Sequence, residues 1–149
     1  MTYLQERIAR QKPTRDLALA LKGEHIRLIA EVKQACPSRG MLSPNLNPTE
    51  LAQTYAGGGA AAISVLTEAN YFRGSIERLS SIKEVVGLPL LRKDFIFDPY
   101  QVYESRAYGA DALLLITAVL SQGQLKELVS LSHRLGLKCL VVVHKEGAV

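Results

Sequence analysis

Short apolar runs alternate along the chain with longer segments in which apolar residues recur at helical spacing. The runs are nearly continuous, and each ends at charges or turn residues, which is typical of strands buried on both faces of a parallel sheet. They predict five strands, over residues 26–33, 60–67, 89–95, 112–117 and 138–144.

The intervening segments carry the start and stop signals of helices. Glycines follow most of them, and Pro99 stands at a first helical position, where its missing N–H costs nothing. Thr49 is expected to open the helix after residues 36–47, which are predicted to form a loop. The predicted helices cover 2–10, 17–22, 49–56, 76–86, 99–108 and 122–135. The predicted N-cap residues include Asp16, Ser75, Asp98 and Ser121.

The strand–helix alternation predicts an α/β fold with a parallel sheet covered by helices. An open doubly wound sheet and a (β/α) barrel both fit this order of elements. A dinucleotide fold would carry G-x-G-x-x-G after the first strand, and this chain has Pro37-Ser-Arg-Gly40 there. Barrel interiors are filled in layers by alternate strands, and charges on the first and third strands fit such layers. The barrel is therefore favoured.

Charged residues stand at the ends of two predicted strands. Glu31 and Lys33 lie two positions apart, so they point to the same side of the first strand. Lys93 ends the third strand, while its neighbours Arg92 and Asp94 point the opposite way and are expected to pair with neighbouring helices. Buried charges are costly unless they pair or act. These charges therefore predict one shared polar site at the carboxyl ends of the strands.

Composition narrows the possible partners. The 149 residues are 48% hydrophobic and 21% charged, and the formal net charge is +4. This charge suits a small anionic substrate, and the scattered basic residues argue against nucleic acid. Cys36 and Cys139 form no metal-ligand or disulfide pattern. Residues 1–10 contain no apolar core of signal-peptide length, and no apolar run has the length of a membrane span, so a cytoplasmic location without membrane contact is expected.

Several motifs together resemble a known family. They are Ile29-Ala-Glu-Val-Lys33 with Pro37-Ser38, Ile63-Ser-Val-Leu-Thr-Glu68, Tyr71-Phe-Arg-Gly74, Leu91-Arg-Lys-Asp-Phe95 and Asp98-Pro-Tyr-Gln-Val-Tyr103. In this order they resemble indole-3-glycerol phosphate synthase of tryptophan biosynthesis, from about residue 16 onward. The resemblance implies a (β/α)8 TIM barrel, incomplete here at about five βα units. It divides the chain into an N-terminal helical extension, 1–25, and a partial barrel, 26–149.

The family closes the indole ring of 1-(2-carboxyphenylamino)-1-deoxyribulose 5-phosphate, losing carbon dioxide and water, with no cofactor or metal. The resemblance implies that Lys93 is the general acid and that Lys33 contacts the substrate phosphate and assists dehydration. It implies that Glu31 holds these lysines and the substrate amine. Phe72 and Phe95 would be the walls of the anthranilate pocket.

Three departures from the family pattern limit this expectation. Val142 stands in Val141-Val-Val-His144, where the family has its strand-five glutamate, so the base for dehydration is missing. Cys36 replaces a serine that contacts the substrate. The strand-six asparagine and the later phosphate-binding loops are not in this sequence, which leaves Lys33 and the loop at Ser38 for the phosphate. Turnover by these residues alone is expected at or near background.

Two other interpretations stay open. The chain can be a truncated, inactive copy that only binds a sugar phosphate or a partner chain. Another phosphate-binding barrel enzyme, such as phosphoribosylanthranilate isomerase, is disfavoured by the motifs around Glu31 and Lys93. Because five strands cannot close a barrel, the first and fifth would be apolar edges. Self-association, poor solubility or a complementing chain is therefore expected.

Overall fold

A computed structural model describes residues 2–23, 27–32, 47–70 and 74–143, and the backbone of residues 35–36 and 40–41. In these ranges none of the helices is long and apolar enough to cross a bilayer. The helices are α1 (Thr2–Ala9), α2 (Leu17–Ala20), α3 (Pro48–Gly57), α4 (Glu77–Val85), α5 (Pro99–Ala107) and α6 (Gln122–Arg134), with a 3-10 turn at Thr117–Val119. The strands are β1 (Ile29–Val32), β2 (Ala35–Cys36), β3 (Gly40–Met41), β4 (Ala62–Leu66), β5 (Leu90–Lys93), β6 (Ala112–Ile116) and β7 (Lys138–Val142).

Five strands form one parallel sheet in the order β1-β4-β5-β6-β7. Each strand of this sheet therefore lies beside the one that follows it in the sheet's chain order, and the helices α3, α4, α5 and α6 lie between successive strands. A doubly wound sheet reverses its strand order at a switch point, whereas a barrel adds strands in one direction. The observed order confirms the α/β prediction and is consistent with an incomplete (β/α)8 barrel.

The two faces of the sheet bury different sets of side chains. The outward face packs against the helices in the main core, which includes Ile63, Leu90, Leu113 and Leu115. On the inward face, Ala62, Leu91 and Ala112 cluster with Leu17 of α2 near the amino ends of the strands. Helix α2 thus covers the bottom of the partial barrel, and the carboxyl ends of the strands face the opposite way.

Capping residues in the sequence predicted the starts of three helices correctly. Asp98 and Ser121 each form a capping box, with Gln101 and Gln124 respectively returning a side-chain bond to the cap backbone. Asp16 caps α2 by accepting from the Leu19 N–H. These caps satisfy N–H groups that the first helical turn leaves without partners.

Two predicted helix starts are wrong. Asn47, not Thr49, caps α3, because the Asn47 amide oxygen accepts from the N–H groups of Thr49 and Glu50. At α4 the N-cap position is Ile76, and the Ser75 hydroxyl instead accepts from the Glu77 N–H. In both cases the helix begins one residue away from the predicted start, at Pro48 rather than 49 and at Glu77 rather than 76.

The predicted loop over 36–47 is also wrong in part. Strands β2 and β3 pair in antiparallel fashion, Ala35 with Met41 and Cys36 with Gly40. A pair of two-residue strands is made by backbone hydrogen bonds and is too short to show a period of alternating side chains. The apolar pattern therefore had no means of predicting it.

The N-terminal segment is bonded to the barrel at several points. The Arg7 guanidinium and the Gln11 amide both donate to the Ala107 carbonyl, at 3.0 and 2.8 Å. The Thr14 hydroxyl donates to the Gly136 carbonyl at 2.7 Å. These contacts hold α1 against the α5 side of the molecule. The division into an extension over 1–25 and a barrel over 26–149 stays a prediction.

Candidate functional site

Glu31 and Lys93 meet on the inward face of the sheet, towards the carboxyl ends of the strands. Lys93 Nζ lies 3.1 Å from Glu31 Oε1, and their side chains are 43% and 30% exposed. The two residues belong to β1 and β5, which are separated by β4. The sequence-based prediction of one shared polar site is thus confirmed for this pair.

Ser64 occupies the strand between them. It is paired in register with Glu31 on one side and Leu91 on the other, and Lys93 lies two residues beyond Leu91. The lysine side chain therefore reaches diagonally across β4 to its partner. Ser64 is the one polar residue in the apolar strand Ala62–Leu66, and it has the same inward parity as Glu31. That signal could have identified it from the sequence, where it was missed.

The ion pair stands in an apolar concavity of about 310 Å³. Its polar lining consists of Glu31, Ser64 and Lys93. The remaining lining residues are Ile29, Leu91, Leu114, Leu140 and Val142. A low-dielectric wall strengthens the electrostatic interactions of the charges it surrounds.

Val142 shares this inward face, as the register of the fifth predicted strand indicated. It is 42% exposed and lines the same concavity as Lys93 and Glu31. A glutamate at this position would direct its carboxylate into the concavity. The valine instead presents two methyl groups, which can neither accept nor donate a proton.

A smaller apolar pocket of about 120 Å³ adjoins Lys93. Phe95, Leu66, Leu114 and Ile116 provide most of its lining. Phe95 is 45% exposed, so its ring is accessible to a ligand. Glu68, whose role the sequence left open, lines this pocket, is buried, and accepts a 2.8 Å bond from the Asn70 N–H.

Arg92 lies on the outward face of β5 and anchors the carboxyl end of this strand. Its guanidinium pairs with Glu104 of α5 at 3.0 Å and with Asp94 at 3.2 Å. It also donates to the Thr67 hydroxyl and the Ser105 hydroxyl, both at 3.0 Å. The prediction that Arg92 and Asp94 pair with neighbouring helices is confirmed for Arg92, which bonds to α5. Asp94 instead bonds to Arg92 and accepts from the Thr67 hydroxyl just after β4. This network ties the end of β5 to β4 and α5.

Other predicted site residues lie outside what the structure describes. Lys33, Ser38 and Phe72 are not among the described residues, and of Cys36 only the backbone in β2 is described. His144, which the register placed at the carboxyl end of the fifth strand, is also outside. In the part of the chain that the structure describes, no group of three or more histidine, cysteine, aspartate or glutamate side chains could hold a metal ion.

The strand order and the inward ion pair define a class of protein: a (β/α)-barrel protein with a polar site at the carboxyl ends of its strands. The model of the indole-3-glycerol phosphate synthase family matches residues 1–149. The chain belongs to the indole-3-glycerol phosphate synthase family.

Curated relatives named indole-3-glycerol phosphate synthase support this membership. The chain is 60% identical over 135 residues to that of Dehalococcoides mccartyi strain BAV1, covering 89% of this chain and 52% of the relative. It is 55% identical over 141 residues to that of Roseiflexus sp. strain RS-1, covering 90% and 52%. For Neisseria gonorrhoeae strain NCCP11945 the identity is 46% over 148 residues, covering 97% and 57%. The chain spans about half the length of the curated relatives it matches.

Two solved structures share the fold at low sequence identity. Xanthomonas albilineans dihydropteroate synthase matches with a TM-score of 0.57 and 20% identity, over 86% of this chain and 50% of that one. Methylornithine synthase matches with a TM-score of 0.53 and 14% identity, over 93% and 57%. At these identities the similarity concerns the fold alone.

Proposed function

We propose that this chain provides the amino-terminal half of an indole-3-glycerol phosphate synthase site. The substrate is the small anionic sugar phosphate 1-(2-carboxyphenylamino)-1-deoxyribulose 5-phosphate. The reaction closes the indole ring with loss of carbon dioxide and water. The observation that carries the proposal is the contact between Lys93 and Glu31 on the inward face of a chain that belongs to this family. The reaction belongs to amino-acid biosynthesis, and a cytoplasmic location is part of the proposal.

Lys93 is proposed as the general acid. Its ammonium group donates a proton to the substrate carbonyl oxygen as the aromatic carbon bonds to the carbonyl carbon. Glu31 accepts a hydrogen bond from Lys93 and fixes the direction of the ammonium group. Positioned proton donors of this kind contribute rate factors of about 10² to 10⁴.

The remaining binding roles follow the family pattern. Lys33 and Ser38 are proposed to contact the substrate phosphate, and Cys36 takes the position of a serine that contacts the substrate. Phe72 and Phe95 are proposed as walls for the anthranilate ring. The accessible ring of Phe95 beside an apolar pocket supports its part in this proposal. No cofactor or metal is required by the proposed chemistry.

Val142 limits the second half of the reaction. Dehydration needs a base, and the inward position on β7 that would supply one carries methyl groups instead. Ring closure depends on Lys93, so it is expected to be affected less than water loss. Turnover by this chain is therefore expected at or near background.

The same observation favours a second candidate function. A site that keeps a cation and a ring wall but has no base can bind an anionic sugar phosphate without converting it. This non-catalytic alternative predicts binding without turnover whatever residue stands at position 142.

A chimera distinguishes the two functions. Residues 1–149 are joined to the part of the Dehalococcoides mccartyi relative that follows its matched region, and product is followed by indole fluorescence. With Val142 kept, turnover is expected near background. Val142→Glu is expected to raise kcat by about 10² to 10⁴, the usual contribution of a positioned acid or base.

Matched variants show whether a gain in kcat comes from the carboxylate at position 142. Val142→Gln has the length of the glutamate variant without its charge and is expected to leave kcat near background. Lys93→Met combined with Val142→Glu is expected to abolish turnover. Substrate binding without turnover in the Val142→Glu chimera would support the non-catalytic function. High turnover with Val142 unchanged would show that no base is needed there.

A further inference from the structure

A second concavity lies at the end of the sheet opposite to Lys93. It is formed by the segment that follows α1 and by the end of α4 with the turn before β5, and its volume is about 600 Å³. The proposed synthase chemistry uses none of its residues. The lining residues are Arg10, Gln11, Lys12, Arg15, Lys83, Glu84, Val85, Val86 and Gly87.

Arg15 brings a positive charge to the concavity, and its guanidinium forms no ion pair with a carboxylate among the described residues. Its Nη1 donates to the carbonyl oxygens of Val86 and Leu88, at 2.8 and 2.9 Å. Its Nη2 makes a longer contact, 3.4 Å, with the Lys83 carbonyl. Carbonyl groups satisfy guanidinium donors and fix the plane of the group, but they carry no net charge. These carbonyl contacts therefore fix the guanidinium at the concavity, where it keeps its positive charge.

The buried carboxylate of Asp111 interacts with two cations in this region, Lys83 and Arg106. Asp111 is fully buried, and Lys83 Nζ lies 2.6 Å from its Oδ1. Arg106 is also buried, and its guanidinium donates to the carbonyls of Leu135 and Lys12. The pKa of Lys83 is lowered, first by desolvation and further by the charges of Arg15 and Arg106, although Asp111 opposes this. Asp111 thus stabilises the charge of Lys83, while Arg15 and Arg106 add positive charge beside it.

The rim adds two accessible cations. The side chains of Arg10 and Lys12 are exposed. Glu84 is the acidic residue among the lining residues, against the four cations Arg10, Lys12, Arg15 and Lys83. Charges lining a concave surface focus the local potential and concentrate counter-ions there.

We propose that this concavity binds a small, multiply charged phosphate anion. Guanidinium groups match phosphate oxygens in pairs, and the fixed plane of Arg15 reduces the entropy lost on binding. The exposed side chains at the rim, Arg10 and Lys12, close on the outer oxygens. The concavity, at about 600 Å³, has room for a compact anion such as pyrophosphate.

Equilibrium dialysis with pyrophosphate tests this site, because it measures binding whatever the oligomeric state of the 149-residue chain. The double variant Arg10→Gln, Lys12→Gln is expected to bind about tenfold more weakly. Binding by the unchanged chain is expected to weaken as salt is raised, since exposed charges are screened. The amide groups of residues 11 and 86–87 are expected to shift in NMR spectra on addition of pyrophosphate.

Two control proteins establish that the anion binds at this concavity rather than elsewhere on the basic surface. Lys126→Gln with Arg134→Gln removes the same charge from exposed positions on α6 and is expected to leave binding within about twofold. Lys93→Met is expected to leave it within the same range. Absence of binding, equal losses in both double variants, or loss in Lys93→Met would each overturn the proposal.

Discussion

Lys93 Nζ contacts Glu31 Oε1 at 3.1 Å although the β4 strand separates the strands that carry them. The contact depends on two features of the sheet. Lys93 lies one inward position farther along its strand than the residue level with Glu31, and Ser64 between them is small. The lysine is the longer side chain, so it crosses the intervening strand. Three strands thus build the central polar pair of the candidate site.

Removal of the pair is expected to affect function far more than stability. Glu31→Gln and Lys93→Met each break a contact that is about one-third to two-fifths exposed. Pairs this exposed are screened by solvent, and their loss costs about 0–1 kcal/mol in the free energy of unfolding. In the Val142→Glu chimera the same changes are expected to lower kcat about 100-fold or more. Urea unfolding and the fluorescence assay measure the two quantities.

The outcome that contradicts this prediction is a loss of stability without a loss of activity. A loss of more than about 2 kcal/mol with unchanged kcat would make the pair a structural element. Glu77→Gln, on the exposed start of α4, is a suitable control and is expected to change neither quantity.

Asp111 is expected to be far more important for stability. Its carboxylate accepts from Lys83 Nζ at 2.6 Å and from the N–H groups of Arg15 and Leu90, both at 2.8 Å. Asp111→Ala leaves these donors without their partner in a fully buried place. Breaking a buried ion pair on one side costs about 3–5 kcal/mol. Urea unfolding of the variant is expected to show a loss in this range.

A graded series keeps this prediction testable if Asp111→Ala does not fold. Asp111→Asn retains the shape and one acceptor and is expected to lose less stability than Asp111→Ala. Asp16→Asn, which keeps a good capping residue at α2, is the matched control and is expected to change the free energy of unfolding by under about 0.5 kcal/mol. A similar small loss for Asp111→Asn and Asp111→Ala would contradict the assigned role.

Cys139 is expected to make stability fall in alkaline solution. Burial raises the pKa of its thiol above the ordinary value of 9.0, although a hydrogen bond with Ser132 opposes this. Above that pH the unfolded thiol loses its proton while the folded thiol keeps it. The unfolded state then binds fewer protons, so the free energy of unfolding falls as pH rises, by at most about 1.4 kcal/mol per pH unit.

Urea unfolding between about pH 7.5 and about pH 10 measures this effect. Cys139→Ala is expected to lose less stability over that interval than the unchanged chain. Tyr108, whose pKa is also raised, chiefly by burial, contributes equally to both proteins and cancels in the comparison. Equal slopes for the two proteins would show that Cys139 does not control the decline.

The β7 strand is expected to promote self-association. It is an edge of the described sheet, and Leu140, Val141, Val142 and Val143 are 38%, 39%, 42% and 72% exposed. An exposed apolar edge offers unpaired backbone groups to another chain. Size-exclusion chromatography is expected to show oligomers or aggregates of the 149-residue chain. Val141→Lys is expected to shift the profile towards monomer.

Val85→Lys provides the matched control for this prediction. Val85 is 40% exposed, close to the exposure of Val141, but it lies at the end of α4 rather than on a sheet edge. The control is expected to leave the elution profile unchanged. A sharp monomeric peak for the unchanged chain, with cooperative unfolding, would contradict the prediction.

The sequence predicted most of the fold because its signals are local. Apolar runs located the five parallel strands, and Asp98 and Ser121 marked helix starts through bonds within four residues of themselves. The β2–β3 pair was missed because its pairing is made by backbone groups. Ser75 is not the N-cap because the helix begins at Glu77 and Ile76 takes the cap position.

For the site, the sequence by itself determined which residues face inward. Residue parity on the strands predicts that Glu31, Lys93 and Val142 share one face, because side chains alternate at every residue. Parity carries no information about distance across the sheet. Only the tertiary structure decided that Lys93 reaches Glu31 and that Asp111 gathers Lys83 and the Arg15 N–H, because these contacts join elements distant in sequence and depend on strand register and helix packing.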